Sequence, residues 1–398
     1  MDIVNFLLAI ISIIIIILSY NGIKRSGIRS YSLFAFFFFF CLLINTTKLS
    51  VFQKEKNLLD LYYLVVGPLL LIIPLFIAEH LKVNKLHGIK LISVDFLFII
   101  LLTVYILTKL YISSIVGWRI DSLAASTYLI NGDELSVPGF TGLAGSLQWT
   151  LLMMTPVVSK KYRLFIIIFI IALIVFAIFH VKRGDVMRMA VFFLVLFLYR
   201  SLHKRQISKS FIKKIAAIVT GIMVVFIVSG NIREEARGGG ANDIVNLSGL
   251  KIDNTVIAWV YSYFAINFDV VKMYYPAKPL NKPLALGSLW GSEDTETEAK
   301  NINGFNASTY LRQFIVDYQE LFIIELSVFA IIISFFLYIS RALQTNSLTI
   351  FISSLLFLFP FGNYFLSRAM VVAMVFYIIV SFVSYPKNIK KKSNDFAH

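Results

Sequence analysis

The sequence predicts an all-α polytopic integral membrane protein, and three observations carry that prediction. Apolar residues make up 58% of the 398-residue chain and charged residues only 15%, where soluble domains hold about a quarter charged. The apolar residues come in unbroken runs, such as residues 13–18 and 36–40. These runs sit inside stretches approaching the roughly 20 residues that cross about 30 Å of hydrocarbon. The charges gather between the stretches and alternate in sign, basic loops with acidic ones. This pattern excludes a soluble enzyme, a disordered chain and a fibrous protein.

Apolar stretches bounded by charge give eleven candidate spans, near 3–20, 31–46, 59–79, 91–112, 139–158, 164–180, 186–200, 213–230, 319–339, 348–362 and 367–384. Residues 1–398 read as a single membrane domain with its loops. The start Met1-Asp2 brings no basic region, and no small-residue cleavage site follows Tyr20. The first run is therefore expected to be a retained span. The alternate loops 21–30, 80–90, 159–163, 200–214 and 340–347, with the tail 385–398, hold 20 of the 37 Lys and Arg. Because Lys and Arg resist translocation, these loops are expected in the cytoplasm, with the N-terminus outside and the C-terminus inside. Topology thus accounts for the net charge of +15 without nucleic acid as a partner.

Residues 254–275 are apolar enough to tempt a further span, which would export the basic tail. Val256, Trp259, Val260, Tyr263 and Val270 mostly fit one helical face, while Asn267, Asp269 and Lys272 interrupt it. The spacing predicts a helix in the interface or packed on the bundle. Residues 231–312 then form one large outer loop, too long to be structureless.

Charge close to membrane depth marks functional candidates. The segment His180-Val181-Lys182-Arg183-Gly184-Asp185-Val186-Met187-Arg188 puts basic residues on the outer side, against the sorting rule. Arg183 matches phosphate oxygens bidentately; the plainer alternative is headgroup contact and local pairing with Asp185. A second cluster opens the outer loop, where Arg233 and Arg237 lie four apart on one helical face and residues 238–240 are glycine. The alternative there is a solvated helix end with its own ion pairs. A third stretch, Asn306 to Glu320, offers Arg312 for phosphate and Asp317 as an acid/base or acceptor-orienting group. Tyr310, Phe314 and Asp317 share helical spacing there, and mutual neutralisation of Arg312 and Asp317 is the competing reading.

Other chemistries lack their residues. The single cysteine, Cys41, gives no disulfide framework or cysteine metal site. No paired-histidine zinc motif, phosphate-binding glycine loop or nucleophile elbow occurs. Four of the histidines fall on the basic side, and only His180 lies near the outward cluster. Glu325 aside, the span centres hold almost no ionisable residues, which weighs against an ion-coupled transporter.

Taken together, the eleven spans, the large outer loop before the last three, the Arg183-Gly184 turn, Arg237 with its glycines, and Ser308-Thr309-Tyr310-Leu311-Arg312 followed by Asp317 resemble the O-antigen polymerase (Wzy-type) and oligosaccharide repeat-unit polymerase family of bacterial inner-membrane proteins. Arg237 and Gly249 are separated by eleven residues where that family frequently has ten. The resemblance implies a GT-C-like helical bundle and a metal-independent glycosyltransferase without a cofactor. Its partners would be undecaprenyl-diphosphate-linked oligosaccharides and membrane lipids, with a chain-length regulator and a flippase. It implies Arg183 and Arg237 at the diphosphate, with Arg233 and Arg312 in support. Asp317 would serve the acceptor hydroxyl, with His180 as the second candidate base. Tyr310 and Trp259 would stack on sugar rings, or serve as interface belt residues.

Three other readings compete, one of them a purely structural or assembly membrane protein whose outward arginines merely contact lipid headgroups. A lipid-linked oligosaccharide flippase or other transporter predicts polar residues inside the spans and similar halves. The related O-antigen ligase usually has a histidine where this chain has Ser308 or Thr309.

Overall fold

The computed structural model describes residues 3–51, 53, 55–86, 88–89, 91–116, 137–179, 183–202, 213, 217, 220–221, 249–251, 254–272, 309–318, 321–362, 364–365 and 367–385. In hydrocarbon every backbone N–H and C=O must be satisfied within the protein, which favours helices. The described helices are α1 (Ile3–Ser26), α2 (Ser30–Thr46), α3 (Leu58–His80), α4 (Val94–Val116), α5 (Phe140–Met154), α6 (Arg163–Phe179), α7 (Arg183–Leu202), α8 (255–272), α9 (Leu311–Tyr318), α10 (Phe322–Ala342), α11 (Asn346–Phe357) and α12 (Arg368–Val383). Among the described residues, α1, α3, α4 and α10 are long and apolar enough to cross a membrane. The 23 residues of α4 reach about 34 Å. The exposed faces of these helices are rich in Ile, Leu, Val and Phe, as in a membrane-embedded helical protein. Packing groups the chain into two compact units, Met1–Leu81 with Ala190–Leu337 and Ile352–Ser367, and Lys82–Met189 with Tyr338–Phe351 and Arg368–His398.

In the first unit α2 is apolar on every side and buried nearly all round, from Leu33 and Phe34 to Leu42. Its neighbour α1 is built inside out. Asn5, Ser12 and Ser19, seven residues apart, face inward with Leu8, while Ile10, Ile13, Ile14 and Ile17 stay exposed. In lipid, small polar residues bring helices together and large apolar ones face the tails. Asn5 Nδ2 donates to the Thr46 carbonyl at 2.9 Å. The start of α3 is a capping box, with Asp60 N donating to Asn57 Oδ1 at 3.0 Å and Asn57 N to Asp60 Oδ2 at 2.8 Å. Farther along, a Cβ on Gly67 would stand 2.7 Å from Leu311 Cδ2, so glycine lets α3 and the start of α9 touch.

Helix α8 corrects the predicted face. Val256 is 53% exposed, and the inward residues include Ala258, Tyr261, Ser262, Ala265, Phe268 and Asp269 as well as the expected Val270. A π-type turn at Ser262–Ile266 adds a residue midway, so no single 3.6-residue stripe runs the length of the helix.

In the second unit α5 packs on α4 and α12. Gly145 permits a close approach, since a Cβ there would lie 3.1 Å from Ala369 Cβ. One end of the unit collects three chain segments. Leu86 N donates to Ala342 O at 2.9 Å, Ile89 N to Phe382 O at 2.9 Å and Leu91 N to Val383 O at 2.8 Å. The run continues as β1 (Ile92–Ser93) and β2 (Ser384–Tyr385), paired in parallel with Ile92 opposite Ser384 and Ser93 opposite Tyr385. Gly88 makes this possible, because a Cβ at that position would lie 2.1 Å from Phe382 O.

Candidate functional site

Helix α9 carries the most suggestive polar line in the first unit. Gln313 and Asp317 lie four apart on one face of the helix, and Thr309 precedes it at its entry. Asp317 is 1% exposed. Thr309 Oγ1 and Gln313 Oε1 are buried without a hydrogen-bond partner. A buried polar atom left unpaired costs about 1–3 kcal/mol, so a ligand hydroxyl reaching this line would gain hydrogen bonds the protein itself does not make. Arg312, on the same helix, is half-buried, and its backbone N–H donates to Thr309 O at 3.1 Å.

Tyr310 is set among aromatic rings. Its ring is 0% exposed, stacked on Phe359 at 4.5 Å and flanked edge-on by Phe34 and Phe38 at 5.9 Å each. Such aromatic pairs add to burial. The ring is packed among these core aromatics, as buried as Thr309 and Asp317 on either side of it in the chain.

A second polar cluster joins the loop after α2 to α8. Asp269 Oδ1 accepts from Lys56 Nζ at 2.9 Å, and its Oδ2 accepts from Asn45 Nδ2 at 2.6 Å and Gln53 Nε2 at 3.2 Å. Lys272 Nζ donates to Asp60 Oδ2 at 2.8 Å and to the Glu55 carbonyl. Tyr261 OH donates to Gln53 Oε1 at 2.5 Å and accepts from Leu49 N at 2.9 Å. Burial raises the Tyr261 phenol above its ordinary range. Two pairs of opposite charge neutralise each other, and the cluster reads as a clamp that fastens α8 to the ends of α2 and α3.

In the second unit the basic segment that contains Arg183 and Arg188 begins α7. Arg183 is its first residue. Arg188 is held locally, its Nη2 2.5 Å from Asp185 Oδ1 and its Nε donating to Gly184 O at 3.1 Å. Its guanidinium also lies 5.0 Å from the Trp149 ring centroid, a cation–π contact. For Arg188 the local-pairing alternative is therefore realised.

Sequence reasoning missed Lys109. The predicted span ended at 112, which put this lysine at a boundary, but α4 continues to Val116 and Lys109 sits about two turns inside. It is 8% exposed, and its Nζ is 5.9 Å from the ring centroids of Tyr105 and Phe176. Tyr105 OH donates to Gln148 Oε1 at 3.4 Å, and Gln148 Nε2 is buried without a partner.

The predicted residues are thus unevenly placed. Asp317, Tyr310 and Arg312 share one short helix and its entry in the first unit. Arg183 belongs to the second unit by residue number, and Trp259 lies in α8; the side chains of both fall outside the described residues. His180, Arg233 and Arg237 lie outside the described residues altogether. Comparison with models of protein families, with curated proteins and with solved structures finds no match to this chain.

Proposed function

We propose that the protein is a membrane glycosyltransferase that polymerises undecaprenyl-diphosphate-linked oligosaccharide repeat units into O-antigen or a similar surface polysaccharide. In this reading the chain crosses the bacterial inner membrane about eleven times, with its N-terminus periplasmic and its C-terminus cytoplasmic, and works at the periplasmic face. The observation that carries it is the buried Asp317, four residues after Gln313 on helix α9 with Thr309 at the helix entry, in the segment that resembles the polymerase family.

The acceptor sugar hydroxyl attacks the anomeric carbon of the growing chain. A glycosidic bond forms, the bond from that carbon to diphosphate breaks, and undecaprenyl diphosphate leaves. Asp317 orients the hydroxyl and takes its proton, with His180 as the second candidate. Arg183 and Arg237, supported by Arg233 and Arg312, stabilise the charge developing on the diphosphate; preorganised donors are worth most where water is excluded. Trp259 offers a face to the sugar or to the membrane interface.

Cells lacking the protein, complemented with wild type, Asp317→Asn or Arg183→Ala, test this on a polysaccharide gel. The deletion is expected to leave a single-repeat product, and Asp317→Asn to reduce the ladder about 100-fold or more at equal protein level, the scale of lost acid/base catalysis. An unchanged ladder in the deletion contradicts the proposal. Lys109 with Tyr105 and Gln148 favours a second reading as a lipid-linked oligosaccharide transporter. That reading predicts loss of even the single-repeat product.

A further inference from the structure

We propose that the basic end of the second unit is a binding site for an acidic phospholipid, its phosphate held by Lys160, Lys161 and Arg163 and its chain lying along the neighbouring groove. The groove encloses about 460 Å³ and is lined by Leu91, Ile92, Ser93, Phe96, Ile99 and Tyr162. Its walls are apolar and open: Leu91 is 68% and Phe96 59% exposed. The hydroxyls of Ser93 and Tyr162 are the polar side-chain groups of this lining.

Three exposed cations stand beside it. Lys160, Lys161 and Tyr162 form a short 3-10 turn that leads into α6 at Arg163. Lys161 Nζ lies 5.8 Å from the Tyr162 ring centroid, which puts its charge at the lining itself. The N-terminal N–H groups of α6 add to the attraction for an anion.

The acid nearest in sequence to the lining is withdrawn. Asp95 is buried, with Oδ1 accepting from Ser159 N and Oδ2 from Ser159 Oγ, both at 2.8 Å. Its carboxylate is spent on the joint between α4 and the turn before α6.

Charge sorting explains why lysine and arginine lie on this side. It does not explain why Leu86, Ile89 and Leu91 are exposed along a loop, next to an open apolar groove. Exposed apolar residues rimmed by cations fit the boundary between acyl chains and acidic headgroups, where each Lys or Arg near the surface contributes to binding. The inference does not depend on the polymerase reading.

The test uses the purified full-length protein in detergent, titrated with dioleoylphosphatidylglycerol or dioleoylphosphatidylcholine, with bound lipid counted by native mass spectrometry. Wild type is expected to retain phosphatidylglycerol about ten-fold better. The Lys160→Gln/Lys161→Gln/Arg163→Gln variant should lose most of that preference, and Ile99→Trp, which fills the groove, should weaken retention. Lys24→Gln/Arg25→Gln, with basic residues removed elsewhere, should leave it unchanged. Equal retention of the two lipids by wild type overturns the proposal. So does a preference that survives the triple change, or one that falls equally in the control.

Discussion

Lys56 and Asp269 show how residues far apart in the chain make one another possible. Their side chains are 0% and 4% exposed, and a buried charge is tolerable only when paired and hydrogen-bonded. Removing one partner strands the other, so Lys56→Met should cost about 3–5 kcal/mol, while Lys56→Met/Asp269→Leu should recover most of the loss. Detergent-resistance or thermal unfolding of the purified protein measures both; equal losses in the single and double variants would show that the pair is not the clamp. The sequence displays Asp269 and Lys272 only as interruptions in an apolar segment, and Lys56 as one more loop lysine. Nothing local pairs residues 213 apart. Asp317 was legible, because its spacing from Tyr310 and Phe314 placed it on a helix, and all three are buried. The surroundings of Tyr310 were not, because the rings that enclose it come from α2 and from Phe359, remote in sequence.

At the scale of elements, periodicity carries helices well and packing faces poorly. The Phe-rich run of α2 reads as apolar all round and is buried nearly all round. In α1 the inward face is Asn5, Ser12 and Ser19, the opposite of the amphipathic rule for soluble helices, because lipid accepts what water rejects. The π-type turn in α8 leaves no mark in hydropathy, and Val256 and Val270 of the expected face part there, one exposed and one buried. Gly88 marks a close approach to backbone that a side chain would forbid. Gly88→Ala must displace the carbonyl of Phe382, which takes a hydrogen bond from Ile89 N at 2.9 Å. The expected cost is about 1–3 kcal/mol, the range for overpacking, with faster hydrogen exchange at Ile89 and Leu91. Unchanged exchange there would contradict the close approach.

At the scale of the molecule, composition made the all-helical membrane class legible and left the division into two units hidden. The units interleave, each assembled from three stretches of chain, and no linker or change of composition marks their edges. Lys109 belongs to this scale too: whether its helix carries a structural charge or a transport path turns on what the whole protein does to its substrate. The polymerase and transporter readings part on one covalent bond.

Reconstitution measures that bond. The purified protein in liposomes is given the host's own repeat unit on undecaprenyl diphosphate, without added metal and with a chelator present. The polymerase reading predicts a ladder of whole-number multiples with release of undecaprenyl diphosphate, reduced about 100-fold or more by Asp317→Asn. A repeat unit that remains single while crossing the bilayer would contradict it and make the protein a transporter.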